Sequence, residues 1–341
     1  MGDMRWARVV LGVVGLATAA VPLVFGGTPA VAAATVAARP SSGCGKSSPT
    51  SAGTTNQLMA AAGDDGAYVQ EIPHSYAPTK PMPVIFDLHG YGESASLQAS
   101  LTALGTYGNT HGFITITPQV SYAVPMWNVT LGSHDLAFFG ALLHRVDANL
   151  CIDLNRQYVA GYSDGAFMTS SIACQFAGQI AAVAPVAGIQ TPTGCRPSRP
   201  VPVLAIHGTA DQFVPYNGGL GPAALKLPAP DGSGKTLGQE LPANSSQRKG
   251  PSVPARTATW AKRNGCAAKP TDTAVASDVT LIDYSCPNGD NVELYRVTGG
   301  GHAWPGSVAS KAITSVIGKV TFSISANKLI WNFFKAHPLN H

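Results

Sequence analysis

Apolar positions along this chain fall into short runs, separated by longer segments with helical spacing. Residues 67–72 alternate apolar and polar, as an outer strand with one wetted face does. Residues 83–88 are almost continuously apolar and run straight into His89-Gly90-Tyr91-Gly92, the pattern of a buried parallel strand feeding a loop. Similar runs follow at 113–117, 157–160, 181–186 and 201–206, and residues 279–284 and 292–297 supply the last strands. Helical patterns lie between several of them, as at 135–143 and 166–174, and residues around 329–334 read as a closing amphipathic helix. Short apolar strands alternating with helices predict an α/β fold, a mostly parallel central sheet covered by helices on both faces.

Two stretches break the pattern. At the start, Arg5 and Arg8 lead into an apolar run from residue 9 to about 25, followed by small residues including Ala30-Val31-Ala32. These are the three parts of a secretory signal peptide, expected at 1–32. A membrane anchor is the rival reading, but Gly12, Gly15, Pro22, Gly26 and Gly27 interrupt the run. Residues 33–57 are rich in Ala, Ser, Thr and Gly and read as an extended leader tied down at Cys44; residues 58–341 then form one domain. Within that domain, residues 218–253 are rich in Gly, Pro and Ser and read as a surface insertion. Gly232-Ser233-Gly234-Lys235-Thr236 mimics a phosphate loop there, yet residue 229 is Ala where the first glycine belongs and no apolar strand precedes it.

Only 12% of residues are charged, and the formal charge of +4 has no Lys/Arg cluster behind it. Neither a nucleic-acid nor an anionic-membrane partner is indicated, and a monomer is expected. The six cysteines all lie beyond the expected cleavage site, and an even count suits an oxidising, extracellular setting. Cys151 precedes a strand and Cys174 ends the following helix, which favours Cys151–Cys174. Cys266 and Cys286 bracket one excursion, leaving Cys44–Cys195. A zinc site would need CxxC or His/Cys spacing, which is lacking.

The chemistry begins at Gly161-Tyr162-Ser163-Asp164-Gly165, placed between an apolar strand and a helix. A Gly-x-Ser-x-Gly pentapeptide in that position is a nucleophile elbow, where a strained turn lifts the serine hydroxyl above the sheet. The alternative is an ordinary Gly-rich turn, and context decides between them. An acid and a base should follow in that order along the chain. Asp211, in His207-Gly-Thr-Ala-Asp211, emerges after an apolar strand beside Ser163; its alternative is a turn-forming Asp. His302, in Gly299-Gly-Gly-His302-Ala-Trp-Pro, is the one later histidine on a tight glycine-framed loop, since His337 and His341 lie in or past the last helix. The developing oxyanion needs two backbone N–H groups, predicted from Asp164 and from Tyr91 in the early loop. Tyr91, Trp127 and Trp304 are candidates for an aromatic substrate wall, each with the plainer alternative of a packed or loop-anchoring ring.

Together Leu88-His-Gly-Tyr-Gly92, Gly161-Tyr-Ser-Asp-Gly165, His207-Gly-Thr-Ala-Asp211 and Gly300-Gly-His-Ala-Trp-Pro-Gly306 resemble the motifs of the secreted polyhydroxybutyrate depolymerase/feruloyl esterase family of α/β-hydrolases, over roughly residues 65–336. The resemblance implies a Ser163–Asp211–His302 triad acting on carboxylic esters, with no metal or cofactor. Asp164-Gly-Ala166 departs from the Asn-Gly-Gly of many relatives, and the 218–253 insertion is longer than the pattern implies. The reading it gives is a secreted feruloyl-type serine esterase acting on plant cell-wall phenolic esters. A polyester depolymerase or an acetylxylan esterase is the alternative, and an inactive hydrolase fold serving as a binding protein is a remote one.

Overall fold

The computed structural model describes residues 1–2, 36–46, 51–243 and 245–339. The signal peptide expected at 1–32 falls almost wholly outside them. From Val36 onward, the strands are β1 (Gly53–Ala61), β2 (Asp64–Ile72), β3 (Met82–Leu88), β4 (Ile114–Val120), β5 (Ile152–Tyr162), β6 (Ala182–Val186), β7 (Val203–Gly208), β8 (Thr271–Ala276), β9 (Val279–Tyr284) and β10 (Val292–Val297). They form one ten-stranded sheet in the order β1-β2-β4-β3-β5-β6-β7-β10-β9-β8. The six strands from β4 to β10 in that order pair parallel, and antiparallel pairs finish each side.

The helices are α1 (Ala95–Thr102), α2 (Leu104–His111), α3 (His134–Asn149), α4 (Asp164–Gln175), α5 (Leu237–Glu240), α6 (Val253–Arg263), α7 (Val308–Ala312), α8 (Thr314–Ile317) and α9 (Ala326–Ala336). Ser94, Ser133, Ser252 and Ser325 cap α1, α3, α6 and α9, each accepting from an N–H of the first turn. Strand pleating sends alternate side chains to two separate cores. Val84, Phe86 and Leu88 pack with α3, α4 and α6, whereas Ile85, Tyr158 and Ala160 pack with α9 and the α1–α2 corner. Both faces are therefore buried, and the strand ends alone are free to carry loops.

The structure corrects two disulfides. Its pairs are Cys44–Cys151, Cys174–Cys195 and Cys266–Cys286. The expected Cys151–Cys174 and Cys44–Cys195 pairs fail because the leader runs beside the start of β5. There Pro40 bridges to Asp153 and the Ser41 N–H donates to the Ile152 carbonyl, which delivers Cys44 to Cys151. Cys174, at the end of α4, instead meets the loop that leads into β7. The leader also ends sooner than expected, since residues 53–57 already belong to β1.

Asp87 sits wholly buried in β3, accepting from Gln98 Nε2 at 2.7 Å and from Thr102 Oγ1 at 2.5 Å. Burial pushes its carboxyl up to about 7, and burial does the same for Asp147, Asp164 and Glu293. Such a group binds a proton in the folded state that the unfolded chain has already released, so stability falls as pH rises toward 7. Burial lowers His89 to about 4 and also lowers His207, which opposes this trend only below the ordinary histidine range. Between pH 8 and pH 6.5 the four carboxyls outweigh the two histidines. The melting midpoint should therefore rise by about 3 °C or more on that acidification, and by less in Asp87→Asn. Calorimetry at the two pH values measures it.

Candidate active site

β5 delivers Gly161 and Tyr162 to the sheet's C-terminal edge, and α4 leaves from Asp164. Between them Ser163 adopts φ 55° and ψ −113°, a conformation a non-glycine residue rarely holds. A Cβ at Gly161 would strike the Gly165 carbonyl, and one at Gly165 would strike the Leu88 carbonyl, so both glycines are required by close approach. Ser163 occupies the N-cap of α4 without its side chain capping the helix. Its hydroxyl is thereby left for His302 Nε2, 2.8 Å away.

The other two candidate triad residues come from two other loops. His302 Nδ1 donates to Asp211 Oδ2 at 2.7 Å, while Asp211 Oδ1 accepts from the N–H groups of Phe213 and Val214 at 2.8 and 2.9 Å. Burial raises the Asp211 carboxyl, but His302, His207 and the backbone donor outweigh it and hold the carboxyl below its usual range. Asp211 thus stays ionised and fixes the imidazole with Nε2 facing the serine. His207, read from sequence as a packed strand-end residue, is buried and hydrogen-bonds Val214 O through Nε2 at 2.8 Å.

Tyr162 and Phe213 were not singled out by the sequence, yet they hold the histidine. The Tyr162 hydroxyl donates to the His302 carbonyl at 2.6 Å, and the His302 N–H donates to the Ile317 carbonyl in α8 at 2.6 Å. The imidazole lies between the two rings, with centroids 4.9 Å from Tyr162 and 4.8 Å from Phe213. Removing the hydroxyl in Tyr162→Phe should free the loop to shift by a fraction of an ångström. Near-attack geometry is that sensitive, so kcat should fall about tenfold with KM little changed. Steady-state kinetics on a soluble ester reads both.

Gly90 N–H donates to Glu93 Oε2 at 2.9 Å and Gly92 N–H to Pro125 O at 2.7 Å, pinning the loop on either side of Tyr91. No hydrogen bond among the described residues engages the N–H of Tyr91 or of Asp164, the latter an orphan donor of the α4 first turn. The Tyr91 hydroxyl is committed to Pro228 O at 2.8 Å, which ties the 218–253 insertion to this loop. The half-buried Asp164 carboxylate accepts from Trp127 N–H at 2.7 Å.

Two expected wall residues are elsewhere. Trp127 is 2% exposed, packs at 4.7 Å on His89 and donates through Nε1 to the His89 carbonyl at 2.9 Å. Trp304 is 1% exposed and donates to Asn327 Oδ1 at 2.8 Å. Both anchor loops from beneath, because a buried indole with its N–H engaged offers no face to a ligand. Of the three aromatics expected in a wall, Tyr91 alone is half-exposed.

No family model matches the chain. Among curated relatives, a probable feruloyl esterase C of Aspergillus terreus is 32% identical over 192 residues, covering 54% of this chain and 67% of that protein. Feruloyl esterase B of Piromyces equi is 28% identical over 246 residues, covering 69% of this chain but only 42% of that longer protein. A bifunctional acetylxylan esterase/xylanase of Neocallimastix patriciarum is 30% identical over 146 residues, 22% of its length. Among solved structures, an acetyl xylan esterase from Aspergillus awamori superposes with a TM-score of 0.52 at 14% identity, covering 77% of this chain and 99% of that one, which shows the shared α/β-hydrolase fold. With a relative at 32% identity matched over two thirds of its own length, and with that fold, the chain belongs to the feruloyl-esterase-type family of α/β-hydrolases.

Proposed function

We propose that this protein is a secreted serine esterase that cleaves hydroxycinnamoyl esters of plant cell-wall polysaccharide. The observation that carries the reading is the unbroken relay from Ser163 Oγ through the His302 ring to Asp211, at 2.8 and 2.7 Å. In the proposed reaction His302 Nε2 takes the Ser163 proton as Oγ attacks the ester carbonyl. The negative oxygen of the tetrahedral intermediate accepts from the N–H groups of Tyr91 and Asp164. His302 then gives its proton to the departing alcohol, leaving an acyl-Ser163. Water, deprotonated by the same histidine, attacks the acyl-enzyme and releases the acid.

Feruloyl esterase relatives favour a phenolic acyl group, and three disulfides suit an oxidising extracellular location. No helix among the described residues is long and apolar enough to cross a membrane. An acetylxylan reading is favoured by the bifunctional relative. Purified protein assayed on methyl ferulate, acetylated xylan and a polyhydroxybutyrate suspension ranks these readings. The highest kcat/KM is expected on methyl ferulate; a higher rate on acetylated xylan or on the polyester would replace the substrate assignment and leave the mechanism standing.

A further inference from the structure

The triad occupies the C-terminal edge of the parallel strands, but a cavity of about 470 Å³ opens at their N-terminal edge. It lies between the start of β3, the middle of β5 and the last turns of α9. Tyr158 in its wall is five residues before Ser163, roughly 16 Å along the strand. Nothing in the proposed hydrolysis uses it.

Its chemistry is distinctive for this chain. Only 12% of residues are charged, yet Lys80, Arg156 and Lys335 all line this one cavity. Among the described residues Arg156 makes one ion pair, with Asp153 at 3.5 Å. One oxygen of that carboxylate already accepts from the N–H groups of Arg39 and Asn155, both at 3.0 Å. Neither Lys80 nor Lys335 has an ion-pair partner among the described residues. Lys335 Nζ stands 5.7 Å from the Trp331 ring, whose other contacts include Phe113 at 4.5 Å. The floor is apolar, built from Met82, Trp331 and the flanking prolines.

Tyr158 forms part of the wall. It is 0% exposed, its ring stacks on Phe334 at 4.6 Å, and its hydroxyl has no hydrogen-bond partner among the described residues. A buried donor left unpaired is costly and uncommon, and here it stands in the wall of a cation-rimmed cavity.

We propose that this cavity is a second ligand site, for a six-membered ring that bears a carboxylate. The three cations would take the charge, and the apolar floor the ring. A bare inorganic anion would leave the floor unused, and an uncharged ring would leave Lys80 and Lys335 unpaired. Two sources share this chemistry: a free hydroxycinnamate and a uronate of an acidic polysaccharide. The site stands whether or not Ser163 is an esterase nucleophile.

Isothermal titration of the purified full chain with ferulate, glucuronate, vanillyl alcohol and inorganic phosphate tests it. One of the two ring acids is expected to bind saturably, and the tighter of them names the source. Lys80→Ala with Lys335→Ala should weaken that binding about tenfold or more. Hydrolysis of p-nitrophenyl acetate should stay within about twofold of the parent in the lysine variant, because both residues lie far from the triad. The proposal is overturned if neither acid binds, or if binding ignores the lysine substitutions. It is equally overturned if phosphate binds as tightly as the ring acids, or if vanillyl alcohol does. Both lysine side chains are exposed, so their substitution leaves the packing of the core intact.

Discussion

Ser163→Ala should lower kcat for methyl ferulate by about 10⁴-fold or more, with the melting temperature close to that of the parent. The chemical loss is large because the proposed nucleophile itself disappears, and no other hydroxyl among the described residues is hydrogen-bonded to His302 Nε2. The structural loss is small. Alanine at φ 55° carries the same backbone strain as serine, both glycines that permit the turn remain, and the serine side chain caps no helix. The N–H groups of Tyr91 and Asp164 remain, and in the proposed mechanism they still polarise a bound carbonyl and leave a residual rate above that of water. His302→Ala should cost a similar factor. The double variant should be no worse than either single one, because the two residues act as a unit. Single-turnover kinetics with burst detection checks all three. Full activity in Ser163→Ala would overturn the assignment of the nucleophile.

The elbow that holds this proposed nucleophile was legible because its requirements are local. Two glycines, a strand before and a helix after are all written within a dozen or so residues. Asp211 and His302 were legible for a related reason, each closing a short loop directly after an apolar strand run. Trp127 and Trp304 were misread because an indole beside an active-site loop has the same local sequence whether it faces the cleft or props the loop from below. Tyr162 left no signal at all, since its hydroxyl meets a carbonyl 140 residues away. Cysteine pairing failed similarly: the leader's path along β5, set by backbone bonds from Ser41 and Gly43, decides it. The first half of β1, residues 53–57, was absorbed into the leader because Thr54, Thr55, Asn56 and Gln57 are polar and wetted, which suits an edge strand that must avoid pairing with other chains. One missed element did carry a signal. Ser252 followed by Pro254 in the first turn announces α6 at the end of the insertion.

The corrected disulfides carry the largest expected effect on stability. Cys44–Cys151 closes a separation of 107 residues, against 21 for Cys174–Cys195 and 20 for Cys266–Cys286. In the chain-entropy account a link stabilises by restricting the unfolded chain, and the restriction grows with the logarithm of loop length. Removing the long link, as Cys44→Ser with Cys151→Ser, should therefore cost about 5 kcal/mol, and removing either short one about 3 kcal/mol. Folded-state contacts act in the same direction. Ser41 and Gly43 donate to the Ile152 and Asp147 carbonyls, and Ser41 Oγ donates to Leu150 O at 2.7 Å, so the released strap would also loosen the start of β5. Ser163 lies at the opposite end of that strand, and kcat at 25 °C should stay near the parent value while the protein remains folded. Guanidinium unfolding of the three double-serine variants measures the order. A larger loss from Cys174→Ser with Cys195→Ser than from the 44–151 pair would contradict the long-range link, and disulfide-linked peptides from a tryptic digest would identify the pairing directly.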